Sequence, residues 1–123
     1  MKTILVVEDD KLLGQAISQT LKGAGYNVFW ARKGTEAFEA LKAQEVGFIY
    51  LDIMLPGDMD GYEILRRLKS DDAYKAIPVV MLSNLGQMNE IDRAMQLGAA
   101  DYVVKANIDL DNLIQLTKSK ILG

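Results

Sequence analysis

The chain has 123 residues, 50% of them hydrophobic and 25% charged, with a formal net charge of −3. That is material for one ordinary domain with a single core, and the interleaved acids and bases leave no Lys/Arg block to mark a nucleic-acid or membrane surface. Cysteine and histidine are both absent, which excludes disulfides, thiolate metal sites, cysteine nucleophiles, Ser-His-Asp arrangements and the commonest transition-metal ligand.

The start, "MKTILVVEDD", reaches acids too soon for a signal peptide or a membrane span, so a cytoplasmic protein is expected. "TILVV" (Thr3 to Val7) reads as a first strand. Leu13, Ala16, Ile17, Leu21 and Ala24 then share one face of a helix that Gly25 closes, with Asp10 as its cap. "NVFWA" (Asn27 to Ala31) is a second strand, and Ala37, Phe38 and Leu41 mark a helix ending near Gln44. "FIYL" (Phe48 to Leu51) is a third strand, running into Asp52 and the turn at Pro56-Gly57. Asp60 and Glu63 make a capping-box pair for a helix carrying Ile64, Leu65 and Leu68. "PVVML" (Pro78 to Leu82) is a fourth strand. Ile91, Ala94 and Met95 line the next helix, which ends at Gly98. "YVV" (Tyr102 to Val104) is a fifth strand, and a last helix carries Leu110, Leu113, Ile114 and Thr117 behind a cap at Asp109.

Five strand-helix units in strict alternation predict an α/β fold: a single doubly wound (βα)5 domain spanning residues 1–123, with helices on both faces of a parallel five-stranded sheet. The strands are continuous apolar runs, as expected where both faces are covered. In such a sheet ligands bind beyond the carboxyl ends of the strands. Glu8, Asp9 and Asp10 follow the first strand, Asp52 ends the third, Ser83 and Asn84 follow the fourth, and Lys105 follows the fifth. The strand order 2-1-3-4-5 brings these ends to one rim, with a switch point between strands one and three.

Carboxylates gathered on one rim repel, and one is pushed toward protonation unless a cation compensates. Oxygen-only ligands favour Mg²⁺, which takes one or two carboxylates plus phosphate oxygens. A carboxylate is also a nucleophile toward phosphorus, forming an aspartyl phosphate. Lys105 would neutralise a phosphoryl oxygen, and Ser83 would donate to another. Together these groups make a phosphoryl-accepting site.

The acidic pair after strand one, "LDIMLPG" followed by "DGYE", "PVVMLS" and "GAADYVVK" together resemble the receiver domain of two-component response regulators, the chemotaxis-regulator-like fold. The resemblance runs essentially end to end. It implies that Asp52 is the phosphoacceptor, with Asp9 a direct Mg²⁺ ligand, Glu8 acting partly through water, and the Met54 backbone carbonyl completing the metal site. It implies that Ser83 closes on the phosphoryl group, that Lys105 is the family's lysine, and that Tyr102 is the aromatic that changes rotamer on activation. Met54 and Leu85 occupy the two positions that tune dephosphorylation, and neither positions an attacking water, so slow self-hydrolysis is expected. The implied donor is a sensor histidine kinase or phosphotransfer protein. The implied output surface is the fourth helix, fifth strand and fifth helix, offered to an output protein or a second copy, with no nucleic acid and no membrane bound by this domain.

Two departures from the family pattern stand out. "DIMLPGDMDG" is one residue longer than the usual loop, which leaves open a shifted start of the third helix. "VVKAN" has Ala106 where the family has proline after the lysine. A cis bond there would cost about 3 kcal/mol, so a trans peptide is expected. A degenerate receiver that binds partners without being phosphorylated is the alternative reading. A phosphatase would need an acid two residues after Asp52, where Met54 stands. The receiver half of a longer transcription factor would read the same. Asp58 reads as loop, Met81 and Met95 as core fillers, and Trp30 has no assigned role.

Overall fold

The computed structural model describes residues 2–84 and 88–121. The elements run β1 (Thr3–Val7), α1 (Lys11–Gly23), β2 (Asn27–Ala31), α2 (Gly34–Ala43), β3 (Val46–Asp52), α3 (Gly61–Lys69), β4 (Val79–Ser83), α4 (Met88–Gln96), β5 (Asp101–Val104) and α5 (Leu110–Lys120). All strand pairings are parallel, and the sheet order is β2-β1-β3-β4-β5. The doubly wound architecture read from the sequence is therefore the one observed.

The period of two along each strand divides the core into two clusters. Leu5, Val7, Ile49, Leu51, Val79 and Met81 face one side, where Ile64, Leu65 and Leu68 of α3 pack on them. Ile4, Val6, Phe48, Tyr50, Val80 and Leu82 face the other, against Ile17 and Leu21 of α1 and Leu113 of α5. β1, β3 and β4 are buried along their whole length. The expectation of burial on both faces fails at the edges: β2 alternates exposed and half-buried positions before Ala31, and β5 is nowhere fully buried. A sheet edge has no further strand beside it, and the helices cover it incompletely. On the helices, Ala24 is exposed and Met95 is 42% exposed, so neither is the core residue its spacing suggested.

Local chemistry sets the helix ends. The Asp10 carboxylate accepts from the Leu12 and Leu13 N–H groups, and that of Asp109 accepts from Asp111 and Asn112, satisfying first-turn donors that have no helical partner. Asp60 caps α3 through the Glu63 N–H. The reciprocal half of that capping box is missing, because the Glu63 carboxylate is spent on Arg66 and Arg67. With its extra residue, the β3–α3 loop leads into a helix that begins at Gly61. The Gly61 N–H donates to the Ile53 carbonyl at 2.8 Å, and a Cβ at Gly61 would collide with the Asp52 carbonyl. The loop bulges between those fixed points, with Met59 folded over Gly34. In the α1/α5 layer, the Tyr50 hydroxyl reaches Thr117 Oγ1 at 2.7 Å and the Leu113 carbonyl at 3.1 Å, pinning α5 to the central strand two residues before Asp52. Burial pushes that phenol up to about 12.

Candidate functional site

At the carboxyl end of the sheet, β1 and β3 lie side by side in register, with Val7 opposite Leu51. Glu8 and Asp52 are therefore the next residue on each strand, and both are buried, at 0% and 3% exposure. A parallel neighbour is what brings two carboxylates from distant parts of the sequence to one place. Lys105 arrives from beyond β5: its Nζ lies 2.7 Å from Glu8 Oε1 and 2.8 Å from Asp52 Oδ2. The other oxygen of each acid takes a backbone N–H, Glu8 Oε2 from Asp10 at 3.0 Å and Asp52 Oδ1 from Met54 at 3.1 Å.

One ammonium thus serves two buried carboxylates. Burial, reinforced by the Glu8 carboxyl beside it, pushes Asp52 up to about 7 despite the opposing pull of Lys105. Burial opposes the Lys105 ammonium too, but its hydrogen bonds to Asp52 and Glu8 outweigh that and hold it above the usual lysine range. Lys105 opens a 3₁₀ turn, Lys105–Asn107, that the sequence reading missed. There is no cis peptide among the described residues. The expected trans link to Ala106 is observed, and the lysine reaches the acids through it.

Ser83 ends β4, one residue past the Leu82 that pairs with Asp52. It is buried, and its hydroxyl has no hydrogen-bond partner. An orphaned buried hydroxyl costs free energy, so it is an available donor beside this rim. Met54 is 61% exposed and Tyr102 is 38% exposed. Tyr102 sits at a cavity of about 280 Å³ shared with Asn107 and Asn112. Leu85 lies outside the described residues.

Asp9 departs from the expected cluster. Its carboxylate is half exposed and faces Arg32 of the β2–α2 turn, with Oδ1 3.6 Å from the guanidinium. Among the described residues no three acids gather in a metal-binding group. A hard divalent cation nonetheless fits the donors present. They are all oxygen, and two buried carboxylates against one ammonium leave the pocket one positive charge short. Glu8 and Asp52 would hold such an ion, and Asp9 would join them only by leaving Arg32.

Trp30 and Arg32 are the residues that sequence reasoning missed. Trp30 Nε1 donates to the Glu8 carbonyl at 2.9 Å, its indole lying where a Cβ on Gly14 would collide. Arg32 donates to the Asp9 carbonyl at 2.9 Å. The signal was available: order 2-1-3 puts the end of β2 against the loop that follows β1.

Residues 4–118 match the family model for the response regulator receiver domain. The chain belongs to that family. It is 36% identical over 112 residues to the transcriptional regulatory protein CrdR of Helicobacter pylori, an alignment covering 91% of this chain and 51% of that protein. The crystallised receiver domain of NtrX from Brucella abortus superposes with a TM-score of 0.88 at 28% identity, covering 95% of this chain and 96% of that one. A Mn²⁺-bound form of the response regulator Rcp1 superposes with a TM-score of 0.82 at 28% identity, covering 97% and 93%. The chain spans about half the length of the curated relatives it matches. It is a signalling module of two-component systems, and among the described residues no helix is long and apolar enough to cross a membrane.

Proposed function

We propose that this receiver takes a phosphoryl group onto Asp52 from a phosphohistidine. In the transfer the P–N bond of the donor breaks and its electron pair stays on the imidazole nitrogen. An Asp52 carboxylate oxygen makes the new P–O bond. The observation that carries this reading is the buried carboxylate of Asp52, held at 2.8 Å by Lys105 beside a second buried acid. With no histidine in the chain, the donor is a sensor histidine kinase, a phosphotransfer protein or a small phosphodonor.

The attacking group must be ionised, and in the pocket by itself Asp52 holds its proton up to about 7. Mg²⁺ bound by Glu8 and Asp52, joined by Asp9 and the Met54 carbonyl, would supply the missing positive charge to the carboxylates and to the phosphoryl oxygens. Lys105 would neutralise a further phosphoryl oxygen, and the partnerless Ser83 hydroxyl would donate to another. Glu8, at 0% exposure, and the apolar strand ends behind it keep water from the back of the pocket.

Self-hydrolysis should be slow, because Met54 carries no group to orient water and Leu85 supplies none either. Phosphate release from purified protein on a timescale of seconds would contradict this, and Met54→Asn with Leu85→Glu should accelerate it.

A phosphoryl group adds about −1.5 to −2 charge. Drawing Ser83 toward that charge frees space for Tyr102, shifting a pre-existing equilibrium at the α4-β5-α5 surface. That surface already exposes Met88, Met95 and Tyr102, and it is where an output protein or a second copy would bind.

The outward turn of Asp9 favours one second reading, a receiver that binds partners without being phosphorylated. Intact mass after incubation with acetyl phosphate and Mg²⁺ separates the two. A one-phosphoryl gain in the wild type that vanishes in Asp52→Asn supports the first reading, and an unchanged wild-type mass supports the second.

A further inference from the structure

Arg32 stands where the β2–α2 turn overlooks the acid loop. Its guanidinium makes two contacts with the same residue, donating to the Asp9 carbonyl at 2.9 Å and lying 3.6 Å from Asp9 Oδ1. Its own backbone N–H donates to Glu36 Oε1 at 2.9 Å, and Asp58 lines a cavity with Lys33, Gly34 and Thr35, so two further acids lie near this turn. Two residues earlier on the strand, Trp30 holds the Glu8 carbonyl. The Glu8 N–H donates to the Ala31 carbonyl at 3.0 Å. The backbone of Glu8 and Asp9 is therefore gripped at three points, two from β2 and one from the turn after it. The Asp9 side chain is held by one exposed ion pair.

We propose that Arg32 is an internal counter-ion that competes with the divalent cation for Asp9. This rests on the reading of Glu8, Asp9 and Asp52 as the cation's carboxylates. In the metal-free protein the guanidinium holds the Asp9 carboxylate at the rim, leaving Glu8 and Asp52 to Lys105. Cation binding exchanges Arg32 for the ion at the Asp9 carboxylate, while the carbonyl contact keeps the loop in place. The pair is suited to yielding, because both side chains are about half exposed and such pairs are weak and screened by solvent. Arg32 is a positioning residue on this account: it sets how readily Asp9 turns inward and does not itself touch the phosphoryl group.

The experiment is a Mg²⁺ titration of the full chain read two ways, by emission of Trp30, the only tryptophan, and by the Mg²⁺-dependent rise in melting temperature. Arg32→Gln keeps an amide donor for the Asp9 carbonyl and removes the charge. It should tighten Mg²⁺ binding about two- to fivefold, the range that an exposed ion pair commands, while Arg32→Lys should change it less. Repeated on Asp9→Asn, Arg32→Gln should leave Mg²⁺ affinity unchanged. Unchanged or weaker binding in Arg32→Gln overturns the proposal. So does equal tightening in the Asp9→Asn background, which would mean that Arg32 acts only through the general field. If the wild type shows no Mg²⁺ response that Asp52→Asn abolishes, the site reading itself fails and the competition falls with it.

Discussion

Glu8 and Asp9 are consecutive acids with opposite surroundings. Glu8 is fully buried, 2.7 Å from Lys105 and beside Asp52. Asp9 is half exposed and meets Arg32 at 3.6 Å. One acid turns into the pocket under Lys105, and the next turns out toward Arg32. The difference is energetic as well as spatial. Removing the partner of a buried pair strands a charge in a poorly solvated place, whereas removing the partner of an exposed pair hands the charge to water.

The two acids differ most in their dependence on Lys105. Lys105→Ala leaves Glu8 and Asp52 without their shared ammonium, and should cost about 3 kcal/mol at pH 8. At pH 5 the loss should be markedly smaller, because Asp52 holds its proton there and the pocket carries one negative charge fewer. Urea unfolding at the two pH values, in chelator, reads both numbers, and equal losses would refute the shared-ammonium picture.

Asp52→Asn should act with the opposite sign. The folded protein holds the Asp52 proton up to about 7, whereas an unfolded chain releases it near ~4. Folding therefore takes up a proton between those values. The stability tied to the protonated acid is fully present below about pH 4 and is lost as the pH rises through 7. Asparagine does not titrate, so without divalent cation the variant should match the wild type near pH 4 and exceed it at pH 8, by up to about 4 kcal/mol. A variant less stable than the wild type at pH 8 would show that the carboxylate is well compensated as it stands.

The smallest effect belongs to the outer acid. Asp9→Asn should change stability by less than about 0.5 kcal/mol at any pH between 5 and 8. A loss comparable to that at Lys105 would erase the contrast between inner and outer acids.

The inner half of the site was largely legible in the sequence, and the outer half was not. Asp52 ending a greasy strand, Ser83 ending another and Lys105 ending a third could be joined once the alternation of elements implied a parallel sheet. Strand order supplied the rest, since neighbours in a sheet share an end. Side-chain direction past the end of a strand is a different matter. Nothing in "VVEDD" says which acid faces the pocket, and Arg32, which holds Asp9 outward, lies 23 residues away along the chain. Trp30 had no assigned role because its hydrogen bond goes to a backbone carbonyl, which leaves no mark in composition or spacing. The edge strands misled for a related reason: an apolar run in β2 reads like one in β3, yet Phe29 stays 39% exposed because no further strand lies beyond it.

In the proposed function the phosphoryl group is carried by the carboxylate of Asp52 and not by the hydroxyl of Ser83. Borohydride reduction of protein treated with acetyl phosphate and Mg²⁺, followed by peptide mass mapping, locates it directly, since an aspartyl phosphate is reduced to homoserine while a phosphoserine is left intact. Homoserine at position 52 is the predicted result. An unreduced Asp52 with the phosphoryl group on Ser83, or homoserine at another acid, would rule out Asp52 as the phosphoacceptor.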